Sequence, residues 1–132
     1  MESKSIRILL ADDHPIVREG LRAVLELQSG FEVIAEAANG ADALRLALTL
    51  QPDILLLDLE MPVMDGVETI RRLRPQQPNA RIIVFTVFDN DERIIHAVQA
   101  GANGYLLKDA PRDEIFNAIA VFIAYLDRLH AN

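Results

Sequence analysis

Short apolar runs recur along the chain, and four of them end on polar residues. Continuous apolar runs of this length are typical of strands that are buried on both faces of a parallel sheet. Ligands of such sheets bind just beyond the carboxyl ends of the strands, so we expect the polar side chains to converge on one edge. The runs occupy residues 6–11, 54–57, 82–85 and 105–107, and they lead into Asp12 with Asp13, Asp58, Thr86 and Lys108.

Segments with helical spacing of apolar residues alternate with these strands. Pro15 suits the first turn of a helix, and Ser29-Gly30 suits the end of one. A further short apolar run at residues 33–35 predicts one more strand. The predicted strands are residues 6–11, 33–35, 54–58, 81–87 and 105–107, and the predicted helices are residues 15–27, 41–50, 67–73, 91–99 and 111–129.

Five strand–helix pairs with short connections predict an α/β fold with a parallel sheet covered on both faces. Right-handed crossovers leave few topologies for such a chain. We expect a flavodoxin-like, doubly wound five-stranded sheet in the order 2-1-3-4-5 with five helices. In that order the first and third strands lie side by side at the switch point, which brings Asp12, Asp13 and Asp58 together.

Length and composition restrict the function classes. The 132 residues correspond to one domain, predicted over 1–132 with a core at about 5–128. There is no cysteine, which excludes a disulfide framework, a zinc–thiolate site and a cysteine nucleophile. The net charge of −7 disfavours nucleic acid and anionic membranes as partners. No stretch suits a membrane span or a signal peptide, so we expect a cytoplasmic protein.

Taken one at a time, the polar residues at the strand ends have ordinary structural explanations. Together they are harder to explain in that way, because clustered carboxylates repel each other unless a cation compensates them. Each residue has its own alternative: Asp13 as a helix cap, Asp58 as an acceptor of backbone hydrogen bonds, Thr86 as a common strand residue, Lys108 as a solvated charge and Tyr105 as ordinary core.

Oxygen ligands favour a hard divalent cation, Mg²⁺ or Mn²⁺, with water in the remaining positions. Zinc and copper are not indicated, because the histidines are scattered along the sequence, at His14, His96 and His130.

These motifs resemble the CheY-like receiver domain of bacterial two-component response regulators. The resemblance rests on Asp12-Asp13, on the sequence LDLEMPVMDG at residues 57–66, on Thr86 and on YLLK at residues 105–108. The sequences DDHPIVREGL at residues 12–21 and GANGYLLKD at residues 101–109 are similar to the NarL/FixJ subfamily in particular. In that subfamily the receiver precedes a helix-turn-helix DNA-binding domain.

The resemblance implies that Asp58 accepts a phosphoryl group from a sensor histidine kinase. It also implies a Mg²⁺ or Mn²⁺ site with direct ligands from Asp13 and Asp58. Asp12 would act through a water molecule, and Glu60 would offer its backbone carbonyl. Such a domain is a signalling switch that slowly hydrolyses its own aspartyl phosphate, and it is not a conventional turnover enzyme.

The resemblance further implies how the phosphoryl group is sensed. Lys108 would pair with the group, Thr86 would donate a hydrogen bond to it, and Tyr105 would turn inward as Thr86 moves. The outer face would then change and control dimerisation or transcriptional output.

The last predicted helix carries two apolar edges. We expect the first edge to face the sheet and the second either to cover the neighbouring first helix or to form a homodimer on phosphorylation. The first consists of Ile115, Ile119, Ile123 and Leu126, and the second of Ala118, Phe122, Tyr125 and Leu129, with Phe122, Tyr125 and Leu129 as the expected interface.

Three features depart from the family pattern. Asp109 stands where many receivers have proline after the lysine, which leaves the isomer of the Lys108–Asp109 peptide open. Val87 follows Thr86 where a smaller residue is common, and it could restrict water. No helix-turn-helix pattern precedes Asn132, so DNA would be read by a domain outside this sequence.

Two other function classes fit the motifs less well than the receiver does. An aspartyl-phosphate phosphatase of the haloacid dehalogenase type needs a second aspartate where this chain has Glu60. A nucleotide-binding flavodoxin-like domain needs a glycine-rich loop where this chain has Asp12-Asp13-His14-Pro15. A free-standing receiver and the receiver half of a transcription factor both fit the motifs, and the subfamily resemblance favours the second.

Overall fold

The computed structural model describes residues 5–87 and 92–131, with side chains described up to residue 121. Five parallel strands form one sheet in the order β2-β1-β3-β4-β5, with five helices in the described part of the chain. The predicted flavodoxin-like fold class is confirmed. The strands are β1 (Ile6–Ala11), β2 (Phe31–Ala37), β3 (Ile54–Asp58), β4 (Ile82–Thr86) and β5 (Gly104–Leu107), and the helices are α1 (Pro15–Glu26), α2 (Gly40–Leu50), α3 (Gly66–Leu73), α4 (Glu92–Ala100) and α5 (Arg112–Ala131).

Alternate residues of each central strand enter two separate cores. In β3, Leu55 and Leu57 pack in the core that also holds residues of α2, α3 and α4, whereas Ile54 and Leu56 pack in the core on the α1 and α5 side. Every residue of β3 and β4 is buried. This burial on both faces is why these strands are continuous apolar runs in the sequence.

Side chains cap the N-termini of two helices, α2 and α3. The Asn39 side chain accepts a hydrogen bond from the backbone N–H of Asp42 at the start of α2 (2.8 Å). Asp65 accepts one from the N–H of Glu68 at the start of α3 (2.9 Å). Such caps satisfy backbone donors that have no partner within the helix, and they fix where the chain enters it.

The edge strand β2 is longer than the predicted residues 33–35. Its additional positions include Glu36, whose carboxylate accepts hydrogen bonds from Arg18 (3.2 Å) and Arg22 (2.7 Å) of α1. An edge strand tolerates such polar residues, which interrupt the apolar run from which strands are predicted. At the other end of the fold, α5 continues to Ala131, beyond the predicted end. No described helix combines the length and apolar character needed to cross a membrane.

Candidate functional site

Four of the predicted site residues lie at the carboxyl ends of strands. Asp58 is the last residue of β3, and Asp12 follows the adjacent strand β1. Thr86 is the last residue of β4, and Lys108 follows β5. Asp12, Asp58 and Thr86 are all buried, with 2–5% of their surface exposed. The parallel sheet therefore assembles a polar site from residues far apart in sequence.

The Lys108 ammonium bridges the two buried carboxylates. Its Nζ lies 2.7 Å from Oδ2 of Asp12 and 3.2 Å from Oδ2 of Asp58. The backbone N–H of Lys108 donates to the carbonyl of Thr86 (2.7 Å), which fixes the lysine backbone beside the end of β4. The Lys108 side chain is only 13% exposed, so its ammonium lies in the interior of the site and not in solvent.

Burial and charge act in opposite directions on these groups. Burial raises the pKa of Asp58, the Lys108 ammonium opposes that increase, and the Asp12 carboxylate adds to it, with a raised pKa as the net result. For Lys108, burial favours a lower pKa, but hydrogen bonding and attraction to Asp12 and Asp58 outweigh it and raise the pKa. Lys108 therefore stays protonated and compensates part of the buried negative charge.

Three carboxylate oxygens of the site are buried without a well-aligned hydrogen bond. They are Asp12 Oδ2 and Asp58 Oδ2, which form ion pairs with Lys108, and Asp13 Oδ1, which lies 3.1 Å from His14 Nδ1. Asp12, Asp13, His14 and Asp58 can each present one ligand atom with all four atoms within 4.8 Å of one another. Carboxylate oxygens in this arrangement suit a hard divalent cation, so the donor set fits Mg²⁺ or Mn²⁺.

His14 belongs to this cluster, although the sequence motifs did not point to it as a ligand. Its Nδ1 lies 3.0 Å from Asp12 Oδ1 and 3.1 Å from Asp13 Oδ1, and its backbone N–H donates to Asp12 Oδ1 (2.8 Å). Treating all the histidines as scattered was wrong for His14, although His96 lies on α4, outside the cluster. The available signal was adjacency, since His14 directly follows two predicted ligands.

The geometry at the start of α1 rules out helix capping as the explanation for Asp13. Its N-cap residue is His14, and no side-chain hydrogen bond caps the helix. Asp13 is therefore not the helix cap, and its buried Oδ1 faces the cluster instead.

The backbone of Glu60 contacts Asp58, whereas its side chain pairs with a basic residue of α4. Its N–H donates to Asp58 Oδ1 (3.4 Å), whereas its carboxylate pairs with Arg93 of α4 and is 65% exposed. The carboxylate thus points to a basic partner rather than serving as the acid that a phosphatase would need. The two side chains border an open cavity of about 460 Å³ that Asp13 and His14 also line.

The loop after β3 folds tightly beneath the site. Val63 has a φ of 69°, and the N–H of Met64 donates to the carbonyl of Pro62 (2.7 Å), which closes a three-residue turn. Gly66 packs so closely that a Cβ there would lie 2.6 Å from the carbonyl oxygen of Asp58. The glycine therefore lets the start of α3 approach the backbone of the predicted acceptor.

The predicted switch residues lie at different depths. Thr86 is 4% exposed, whereas Tyr105 is 48% exposed and pairs with Val84 across β4 and β5. Tyr105 is therefore not an ordinary core residue. Val87 is also exposed, at 59%. The peptide between Lys108 and Asp109 is trans, which answers the question that the missing proline left open.

The sheet-facing edge of α5 is described in part. Ile115 and Ile119 are buried in the core on the α1 and α5 side, as predicted. The predicted interface side chains lie outside the described residues, and so do two of the predicted sheet-facing ones. They are Phe122, Tyr125 and Leu129 for the interface, and Ile123 and Leu126 for the sheet-facing edge.

Comparison with known proteins gives a consistent result. Residues 8–120 match the family described as response regulator receiver domain. The nitrate/nitrite response regulator protein NarL of Escherichia coli strain K12 is 42% identical over 85% of this chain and 52% of its own length. The transcriptional regulatory protein LiaR of Bacillus subtilis strain 168 is 46% identical over 86% of this chain and 54% of its own. The chain thus spans about half the length of these curated relatives.

Solved structures agree with the sequence relatives. The signal receiver domain of the putative response regulator NarL from Mycobacterium tuberculosis superposes with a TM-score of 0.87 at 36% identity, over 92% of this chain and 98% of that chain. A two-component response regulator of the LuxR family from Aurantimonas sp. SI85-9A1 superposes with a TM-score of 0.86 at 40% identity, over 92% of this chain and 86% of that one.

Proposed function

Because this chain belongs to the response regulator receiver domain family, whose members are signalling proteins that interact with histidine kinases, we propose that it accepts a phosphoryl group on Asp58. The donor is a phosphohistidine of a sensor histidine kinase, or a small phosphodonor. One observation carries the assignment: the buried Asp58 carboxylate ends β3 at the switch point, beside Asp12, and the Lys108 ammonium bridges the two carboxylates.

The transfer is a nucleophilic substitution at phosphorus. A carboxylate oxygen of Asp58 forms a bond to phosphorus while the bond from phosphorus to the donor nitrogen breaks, and the imidazole leaves with that electron pair. The Lys108 ammonium lies 3.2 Å from Asp58 Oδ2. It is therefore close enough to form an ion pair with the phosphoryl oxygens once the group is bound to Asp58. The Glu60 N–H donates a hydrogen bond to Oδ1 of Asp58 and so orients the Asp58 carboxylate.

The acidic residues would hold a divalent cation during this step. The ligands are Asp13 and Asp58 directly, Asp12 through water, and the backbone carbonyl of Glu60. Mg²⁺ or Mn²⁺ bound there supplies neutralisation of negative charge on the phosphoryl oxygens. Support comes from the three buried carboxylate oxygens that lack well-aligned hydrogen bonds.

The signal is the change that the phosphoryl group causes on the outer face. It adds up to about two negative charges beside Lys108. The Thr86 hydroxyl donates to a phosphoryl oxygen, and the exposed Tyr105 turns inward as Thr86 moves. The phosphorylated chain then dimerises and regulates transcription through a DNA-binding domain outside this sequence. The aspartyl phosphate is hydrolysed slowly, without conventional turnover, and the protein acts in the cytoplasm.

Intact-mass measurement after incubation with acetyl phosphate tests the acceptor. The wild type should gain one phosphoryl mass in the presence of Mg²⁺ and none with a chelator. Asp58→Asn keeps the shape of the side chain but removes the nucleophile, so it should gain none. Asp113→Asn, an exposed carboxylate in the first turn of α5, is the matched control and should behave as the wild type. Wild-type uptake by Asp58→Asn would show that another group is the acceptor.

A further inference from the structure

His14 gives the acidic cluster a donor that differs in kind from its neighbours. Among the described residues, it supplies the cluster's one nitrogen ligand. The Lys108 ammonium is also close, but a protonated amine has no lone pair for a metal. The site therefore combines three carboxylates with one imidazole.

The distances within the cluster suit coordination of one ion by several residues. Two adjacent ligands on an ion with bonds of about 2.1 Å lie about 3.0 Å apart. His14 Nδ1 lies 3.1 Å from Oδ1 of Asp13, a direct ligand in the proposed function, and 3.0 Å from Oδ1 of Asp12, which would hold the same ion through water. The same distances suit hydrogen bonds if Nδ1 carries the proton. The side chain is 61% exposed, so its proton can be held on Nε2 in contact with water.

An ion beside His14 does not have to displace Lys108. The lysine contacts Oδ2 of Asp12, whereas the imidazole contacts Oδ1 of the same carboxylate. Asp12 thus presents one oxygen to each neighbour. Its side chain is 3% exposed, which keeps this two-sided arrangement fixed.

We propose that His14 is a direct metal ligand and that it makes this site bind borderline divalent ions, of the class of Co²⁺ and Zn²⁺, more tightly than Mg²⁺. Carboxylate oxygens suit Mg²⁺, whereas an imidazole nitrogen adds affinity for transition metals and little for Mg²⁺. The inference rests on the proposed function only in that both use the same acidic residues. It replaces the expectation that zinc is not indicated.

Calorimetric titration of the full, unphosphorylated chain with Co²⁺, Zn²⁺ and Mg²⁺ tests the proposal. The key variant is His14→Asn, because asparagine is a good N-cap residue and preserves the start of α1. Its affinity for Co²⁺ and Zn²⁺ should fall by at least about tenfold, with little change for Mg²⁺. His96→Asn, an exposed histidine on α4, is the matched control and should bind as the wild type.

A spectroscopic readout identifies the ligand independently. Pulsed EPR of Mn²⁺ bound to the wild type should show coupling to an imidazole nitrogen, and His14→Asn should lack that coupling. The proposal is overturned if His14→Asn keeps the wild-type Co²⁺ affinity, if the wild type binds Co²⁺ no more tightly than Mg²⁺, or if His96→Asn shows the same loss.

The outcomes separate this inference from the proposed function. Mg²⁺-dependent phosphoryl uptake together with unchanged Co²⁺ binding in His14→Asn would refute only the ligand assignment. If His14→Asn loses Co²⁺ binding but the wild type takes up no phosphoryl group, only the proposed function would be refuted.

Discussion

The charges at the end of β3 and β1 carry an energetic cost. Asp12 and Asp58 are almost fully buried, and Lys108 is the cation that contacts both. Asp13 adds a further carboxylate with a buried oxygen. Buried like charges disfavour the folded state unless they are fully compensated. Such residues are retained when the site needs them, and their neutral analogues then stabilise the fold.

Asp58→Asn should therefore increase the free energy of unfolding by about 0.5–2 kcal/mol at neutral pH. The pKa of Asp58 is raised in the folded state, chiefly by burial, so the ionised carboxylate destabilises the fold at a pH where it is charged. Lys108 keeps Asp12 as a partner after the substitution. Urea unfolding in metal-free buffer measures the difference.

The pH dependence of this gain has a definite sign. The stability difference between Asp58→Asn and the wild type should shrink as the pH falls through the raised folded-state pKa of Asp58, because the wild-type carboxyl group then becomes neutral as well. It should vanish below the unfolded-state value of about 4. Asp113→Asn serves as control. A variant that is less stable than the wild type at neutral pH would contradict the interpretation of Asp58 as an energetic cost.

At the scale of elements, a few close contacts hold the helices in place. Gly40, the first residue of α2, lies against the loop that leads from β3 to α3. A Cβ there would overlap the Met64 carbonyl oxygen and Thr69 Oγ1. Arg74, which follows α3, joins that helix to the loops before β4 and β5. The contact at Gly40 supports the loop beneath Asp58, whereas Arg74 ties α3 to loops at the opposite edge of the sheet.

Gly40→Ala should destabilise the fold by about 1–3 kcal/mol, because the backbone carbonyl of Met64 must move away. The matched control is Gly20→Ala in α1, where a new Cβ meets nothing within 4 Å. That control should stabilise the fold by about 0.5–1 kcal/mol, since alanine is the better helix residue. Thermal unfolding of both variants provides the comparison. Equal effects would mean that the close approach at Gly40 has no energetic importance.

Arg74→Met should destabilise the fold by about 2–3 kcal/mol, because the guanidinium satisfies several backbone carbonyls at once. It donates to Ala80 O (2.7 Å), Pro78 O (3.0 Å) and Gly101 O. Burial lowers the pKa of Arg74, consistent with its position between these loops.

Arg71→Met on the neighbouring α3 helix is the control for Arg74. Its side chain is 59% exposed and forms an ion pair with Glu68 (3.6 Å), so we expect a loss of at most about 1 kcal/mol. Urea unfolding distinguishes the two arginines. Similar losses of stability for both variants would mean that the hydrogen bonds from Arg74 to the backbone carbonyls have no special importance.

At the scale of the whole molecule, the α1 and α5 side leaves apolar surface uncovered. Ile16 of α1 is 82% exposed, and Val121 of α5 is 67% exposed. Helical spacing places Val121 on the same edge as Ala118 and Tyr125, the edge for which a homodimer contact is predicted. A two-fold contact between copies of the chain would cover such a surface.

We expect the wild type to dimerise more strongly in the presence of Mg²⁺ and beryllofluoride, a phosphoryl mimic, than in their absence. Tyr125→Glu and Val121→Glu should weaken the dimer by placing a charge in the apolar contact. Val98→Glu on α4, where the side chain is 53% exposed, is the matched control. Analytical ultracentrifugation provides the measurement. A monomer under both conditions, or equal weakening by Val98→Glu, would count against this interface.

Thr86→Ala should leave phosphoryl uptake by Asp58 largely intact but reduce the dimerisation that beryllofluoride induces. The reason is that Thr86 is buried at the end of β4, next to β5, where Tyr105 is half exposed. A shift from a mostly inactive to a mostly active population needs about 5.5 kcal/mol of differential interaction, so one lost hydrogen bond matters. NMR shifts of Tyr105 that respond to beryllofluoride as in the wild type would argue against Thr86 as the link.

The sequence by itself predicts most of the architecture. Strands such as β3 are recognisable because both of their faces are buried, and their length and order in the chain permit few parallel topologies. The site residues at or just after the ends of β1, β3, β4 and β5 follow from the same pattern, since side chains at the carboxyl ends of parallel strands share one edge. The family resemblance, which the comparisons confirm, is the basis of the role proposed for each of them.

Only the tertiary structure reveals which side chains touch. The pairing of Lys108 with Asp12, the place of His14 in the acidic cluster and the ion pair between Glu60 and Arg93 join residues on different elements or in a loop without periodicity. The polar edge strand β2 was predicted too short for a related reason, because Glu36 is stabilised by arginines of α1 and not by its neighbours in sequence. Hydrophobic periodicity records which face of an element is buried. It contains no information on the distance between two polar side chains, which depends on how the elements pack against one another.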